Sequence, residues 1–307
     1  MVLFVTLAGG CTAPGTAAAR GTVPGSQRRD GKATPIPGIS QYHCRNRPVT
    51  RPAGGADMYD RKVLSLDPVL YLPLGNPLAG VQPDLSGHGH AAAYQPRHDL
   101  PGLTRLPNGD RAAHFDGAGQ YAEVQSSPAL SIPQTGCLTV EAWVRPAVLQ
   151  FPREQGTGYA YILGKGTDGK QEYALRMYSL HNSEAPARPN RVSAYVFNLA
   201  GGEGSGAYFQ DRVQAGRWMM VAFSVDARPT AGWPDGFVAI YKNGRLRGKA
   251  SLSQFHVRPG AANAPFRIAT RDLHSYFDGA VAKVAVYGYV LPRREIQATY
   301  NAMVGHR

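Results

Sequence analysis

An antiparallel all-β sandwich or jelly roll is the fold class this 307-residue sequence predicts. Three observations carry it. Short segments alternate apolar and polar residues with the two-residue period of a strand, most clearly Leu138–Pro146. The 36 glycines and 24 prolines supply turns at the density such a fold needs. Helical spacing is confined to one terminal segment, and strands do not alternate with helices as in a parallel sheet. At 43% hydrophobic the chain can build a sizeable core, and no run of eighteen apolar residues offers a buried membrane span.

The first stretch reads differently from the rest. Residues 1–62 carry nine basic and three acidic residues, half of the net charge of +12. Residues 1–11 resemble an export signal of the bacterial lipoprotein type. An apolar run, Val2 to Leu7, passes through small residues into Cys11, the residue that would carry the lipid. Residues 12–62 are rich in Gly, Pro and Ala without a sustained period, so they read as a basic tether with little structure. Such an arm is a solvated linker or is drawn to an anionic surface. No basic–aromatic module for nucleic acid is present. With Cys11 assigned to lipid, Cys44 and Cys137 remain, either as one disulfide or as two buried thiols.

From residue 63 to 304 one domain is expected. Val69–Leu74 is a short apolar strand, Asp84–His90 a glycine-punctuated turn and Ala91–Tyr94 a strand of small residues. Ala112–Gly117 and Tyr121–Val124 bracket glycines 117 and 119 and read as a hairpin. In Leu138–Pro146, Leu138, Val140, Ala142 and Val144 form a core face. Thr139, Glu141, Trp143 and Arg145 form the opposite one, suited to an open ligand-facing side. Tyr159–Lys165, Glu172–Tyr178 and Arg191–Leu199 follow, separated by long loops, with Ala200–Gly206 read as a flexible one. Trp218–Asp226 and Gly236–Lys242 alternate well. Asn243-Gly244 is a strong hairpin signal, because both turn positions need positive φ, with Arg245–Leu252 as the return strand. Phe266–Thr270 and Ala280–Tyr287 close the sheets. Pro292 opens a helix whose Ile296, Tyr300 and Met303 share a face.

These motifs in order resemble the laminin-G-like jelly-roll domains of the concanavalin A-like lectin/glucanase superfamily. The matching pieces include Asp84-Leu-Ser-Gly, Phe115-Asp-Gly117, Leu138–Pro146, Ile162-Leu-Gly-Lys165, Tyr241-Lys-Asn-Gly244 and Phe277-Asp-Gly279 with Val284-Ala-Val-Tyr287. The resemblance implies two curved antiparallel sheets with a concave face, and often secretion and glycan or protein binding. It also implies acids for a structural calcium after Phe277-Asp-Gly279, where this chain has Ala282 and Lys283. A methyl and an ammonium are no ligands for calcium, so no metal is assigned.

Glycoside hydrolysis needs two carboxylates across the scissile bond, and the acids that would partner Glu141 on its strand are replaced by Trp143 and Arg145. Gln254-Phe-His256 matches the shortest part of a lyase signature whose other parts are missing. No nucleophile elbow, phosphate loop or cofactor motif is found. Binding is what the residues offer, because sugar sites pair aromatic faces with planar polar groups. The candidate ligand-binding residues are Glu141, Trp143, Arg176, Tyr178, Tyr195, Asn198, Trp233, Arg271, His274 and Tyr276, with Tyr208 and Asp272 nearby. The expected function is an exported, lipid-anchored, non-catalytic carbohydrate-binding module at the cell surface. The alternatives are a polysaccharide-degrading enzyme with an atypical site and a protein-binding adhesion module. The expected partner is a glycan, with no cofactor and no nucleic acid, and with membrane contact only through the N-terminal lipid.

Overall fold

The structure, a computed structural model, describes residues 57–305 apart from Arg212. Cys11, Cys44 and residues 1–56 lie outside the described residues. Among the described residues there are two α-helices, α1 (Met58–Leu64) and α2 (Arg293–Val304), and four short 3-10 turns. The strands in chain order are β1 (Leu70–Leu72), β2 (Val81–Gln82), β3 (Ala92–Gln95), β4 (Gly102–Arg105), β5 (Arg111–Asp116), β6 (Tyr121–Val124), β7 (Cys137–Pro146) and β8 (Tyr159–Lys165). They continue with β9 (Tyr173–Tyr178), β10 (Val192–Asn198), β11 (Gly201–Phe209), β12 (Met219–Asp226), β13 (Phe237–Lys242), β14 (Arg245–Ser251), β15 (Phe266–Ile268) and β16 (Asp278–Tyr287).

They form two antiparallel sheets. The first runs β14-β13-β12-β7-β16-β5-β4, with β1 also on β16; the second runs β11-β10-β9-β8-β15-β6-β3-β2. The core lies between them and takes Leu138, Val140, Ala142 and Val144 from β7, and Tyr173, Leu175 and Met177 from β9. The strand period thus places the expected core face correctly. Asn243 and Gly244 both have positive φ, 50° and 78°, and turn β13 back into β14 as expected. The terminal helix starts after Pro292 and buries Ile296, Thr299 and Met303.

Four details differ from the sequence reading. Order begins earlier, because Asp57 caps α1 by accepting from the Asp60 N–H at 2.7 Å, and Tyr59 and Val63 are buried. Strand β4, exposed at the sheet edge, was not anticipated. Glycines 117 and 119 do not close a hairpin. They carry the chain from β5 in the first sheet to β6 in the second. Asp116 Oδ1 accepts from the N–H groups of Ala118, Gly119 and Gln120 at this corner. A side chain on Gly117 would meet Asp278 Cβ at 2.6 Å. Finally, residues 201–206 of the supposed loop belong to β11, an edge strand paired with β10.

Candidate functional site

Aromatic and basic side chains collect on the outward face of the second sheet. Along β8, β9, β10 and β11 alternate residues enter the core, among them Ala160, Leu175, Val196 and Ala207. Their neighbours Tyr159, Tyr161, Arg176, Tyr178, Tyr195, Phe197 and Tyr208 turn the other way. Tyr195 lies opposite Gly206, and Arg176 opposite both Ser193 and Tyr161. The glycines of β11 have a packing role. A Cβ on Gly204 would approach the Phe197 ring at 2.6 Å, and one on Gly206 the Tyr195 ring at 2.5 Å. Without side chains there, the two rings lie over β11, their centroids 5.8 Å apart and planes within 20°.

The result is a cleft of about 350 Å³. Arg176, Tyr195 and Phe197 contribute to it, with Tyr208 and Arg191, with Tyr178, Glu184 and Arg188, and with Gln254 and Phe255. The Arg176 guanidinium stacks on Tyr159 and Tyr195, 4.1 and 4.0 Å from their centroids, and donates to the Tyr178 hydroxyl at 2.8 Å. Arg191 lies over the Tyr208 ring at 3.3 Å. Tyr208 is 47% exposed and Phe255 37%, so the aromatic surface is open to a ligand.

Two carboxylates, Glu184 and Glu203, also line the cleft. Glu184 accepts from Thr157 at 2.8 Å and Tyr178 at 3.2 Å, and pairs with Arg188 at 3.5 Å. Burial works to raise its pKa, but the Thr157 hydroxyl and Arg188 outweigh it and hold the carboxyl below its usual range. A glycosidase proton donor requires the opposite shift.

Of the residues expected from sequence, Arg176, Tyr178 and Tyr195 come together in this cleft. Asn198 does not line it; its side chain accepts from the Arg258 N–H at 2.9 Å and so tethers a loop. Arg271 is a buried support, its guanidinium 4.3 Å from the Tyr161 ring and 5.1 Å from that of Phe197, donating to Asp272 at 2.8 Å. His274 instead faces Asp168 at 3.8 Å, and Tyr276 lies under Arg153 at 4.7 Å; neither reaches the cleft. Trp233 packs on Phe237 of the first sheet, with the Lys249 ammonium 4.4 Å from its ring, and so cannot join them.

Glu141 and Trp143 require correction. Both point outward from β7, but α1 and α2 cover that face. Trp143 stacks on Tyr300 at 5.8 Å and meets Tyr59 edge-on at 6.5 Å. Glu141 accepts from Tyr287 at 2.9 Å and Thr299 at 3.1 Å, and burial raises its pKa to about 7. Strand alternation separates two faces; it does not reveal that helices far away in sequence close one of them. The reading missed Glu184, Arg188 and Arg191, which sit in or beside the loop before β10, and Phe197. It named Gln254, which lines the cleft, only for its pairing with His256, which does not. Cys137 is a buried thiol donating to Asp226 at 3.3 Å. Burial, with the Asp226 carboxylate adding to it, raises its pKa to about 12.

The calcium implied by the resemblance does not fit these residues. Asp57, Asp60 and Asp110 approach one another. The Lys283 Nζ lies 2.6 Å from both Asp60 Oδ1 and Asp110 Oδ2, so an ammonium already stands where a cation would go.

The chain belongs to the concanavalin A-like lectin/glucanases superfamily: the Laminin_G_3 family pattern matches residues 116–297. No curated protein matches it. Among solved structures it is similar to the botulinum neurotoxin serotype D ligand-binding domain in complex with N-acetylneuraminic acid. That match has a TM-score of 0.56 and 10% identity, over 78% of this chain and 52% of the other. The chain thus spans about half the length of the neurotoxin domains it matches. It is also similar to domain 4 of AbnA, an extracellular arabinanase from Geobacillus stearothermophilus, in complex with arabinotriose. There the TM-score is 0.50 and the identity 15%, over 76% of this chain and 98% of that domain. At such identities the likeness shows the fold.

Proposed function

We propose that this chain is an exported, non-catalytic module that binds a glycan or glycoconjugate in the cleft on its second sheet. The observation that carries the reading is the convergence there of open aromatic faces with planar hydrogen-bonding groups. Tyr195, Phe197 and Tyr208 offer surfaces for the C–H patches of a sugar ring, and the guanidiniums and Gln254 offer donors for its oxygens. Neighbours of the same fold carry bound saccharides, which supports the reading, the arabinanase domain most because the match covers nearly all of it. The two cleft carboxylates give the enzymatic alternative little support, since Glu184 is ion-paired and held ionised. Export, with a lipid at Cys11 holding the module at the cell surface, belongs to the same proposal and rests on the apolar run before that cysteine.

A glycan array probed with the full chain and with Tyr195→Ala and Tyr208→Ala variants tests the binding. Retention of a glycan class by the parent chain, weakened tenfold or more in both variants, is expected. Turnover of a polysaccharide with no retained glycan would reject the proposal. Mass spectrometry of the mature N-terminus checks the anchor: a diacylglyceryl mass on Cys11 is expected, and an unmodified cysteine removes it.

A further inference from the structure

We infer that the cleft selects anionic sugars, with Arg176 and Arg191 engaging a carboxylate or sulfate on the ligand. The inference rests on the glycan-binding reading and specifies its ligand class. Elsewhere in the protein, the fully buried arginines have acids of their own, while half-buried Arg145 lies over Trp218 outside the cleft. Arg267 donates to Glu123 at 2.7 Å and Arg271 to Asp272 at 2.8 Å, and even the exposed Arg228 donates to Asp226 at 2.9 Å. In the groove beside α2, Lys242 and Arg247 share Asp211. Arg176 and Arg191 are different. Among the described residues neither is ion-paired, and the Nε of each has no hydrogen-bond partner.

Rings satisfy these two guanidiniums in one direction only. Tyr159 and Tyr195 cover the two faces of Arg176, and Tyr208 covers one face of Arg191. A guanidinium donates hydrogen bonds in its plane, and stacking leaves those edges unmatched. Arg176 has a single protein acceptor, the neutral Tyr178 hydroxyl. A cation withdrawn from water without an opposite charge is costly, and a planar oxyanion meets the guanidinium fork with two charge-assisted bonds. Glu184 forms its ion pair with Arg188 and acts on Arg176 only at longer range, and Glu203 is exposed on the rim. Three guanidiniums against these two acids leave the cleft cationic. Its volume of about 350 Å³ lies at the small end of the range for small-molecule sites, roughly 300–1,000 Å³, and suits a short acidic unit.

The experiment is a calorimetric titration of the full chain with three probes. They are an oligogalacturonide, its carboxyl-reduced neutral counterpart and a sulfated heparin oligosaccharide, run alongside the array described above. Tighter binding of either acidic probe than of the neutral one, by tenfold or more, is expected. The preference should shrink in 0.5 M salt, on the order of a Debye length of a few ångströms, and fall to near parity in Arg191→Gln. Arg188→Gln guards against misfolding of the first variant and should lower the acidic affinity severalfold. The carboxylate and sulfate arms distinguish which anion the forks accept. Equal binding of neutral and acidic probes, or an acidic preference untouched in both arginine variants, overturns the inference and leaves the glycan reading intact. Absence of binding to every probe and to the array removes both.

Discussion

The outward faces of β7 and β9 share a pattern and meet opposite fates. Glu141 with Trp143 on one, and Arg176 with Tyr178 on the other, alternate with core residues in the same way. On the first sheet α1 and α2 lie over the face, so Trp143 is 1% exposed and Glu141 fully buried. On the second sheet no described α-helix covers the aromatic face, and the Arg176 face opens into a cleft. A polar-aromatic strand face is therefore ambiguous until its cover is known. Here one face became a second core and the other an open aromatic cleft.

The largest effect that would sharpen this contrast concerns Trp143. Trp143→Ala should lower stability by about 3–5 kcal/mol, because it opens a cavity under α2. Tyr195→Ala, on the open face, should cost less than roughly 2 kcal/mol while abolishing glycan retention. Urea denaturation of the two variants compares them, and similar losses would erase the distinction.

Next is the ion cluster that fixes α1 to the covered face. Lys283→Met should destabilise by about 3 kcal/mol, the low end for a broken buried pair, since Asp110 is about a third exposed. The same denaturation experiment at neutral pH reads it, and an unchanged midpoint would mean that the cluster contributes nothing.

Glu141 gives the covered face a pH signature opposite in sign to that of Glu184 on the open face. Its folded pKa of about 7 lies above the ordinary 4.5, so between those values the folded chain binds more protons than the unfolded one. This carboxyl therefore lowers stability as pH rises through that window. Glu141→Gln should gain on the parent protein between pH 5 and 8 by up to about 3 kcal/mol, taking 1.36 kcal/mol per pKa unit. A constant difference across that range would contradict the assignment.

Last comes Gly206, whose substitution probes the open face alone. Gly206→Ala pushes a methyl toward the Tyr195 ring and should cost about 1–3 kcal/mol as overpacking, with a larger proportional loss of glycan binding. Binding unaffected by this change would place the ligand elsewhere.

Much of the fold was legible because it is written locally. The alternation of Leu138–Val144, the Asn243-Gly244 turn and the spacing of Ile296 and Met303 each act within a few residues. Strand β11 was hidden because its glycines look like a loop. They are explained only by the Tyr195 and Phe197 rings of the neighbouring strand. The corner at Gly117 looked like a hairpin because local turn chemistry does not say whether the next strand joins the same sheet. Arg176, Tyr178 and Tyr195 were recognisable as candidates, and the structure gathers them in one cleft, whereas Arg188 and Arg191 joined them only when the loop before β10 returned beside Tyr208. Helix α1 depended on the Asp57 cap and on partners more than a hundred residues away.

The ammonium held between Asp60 and Asp110 has a practical corollary. A fastening made by a side chain travels with the polypeptide, so it neither waits for a dissolved ion during folding nor is stripped by a chelator. A module built this way keeps its helical cover in surroundings poor in divalent metals.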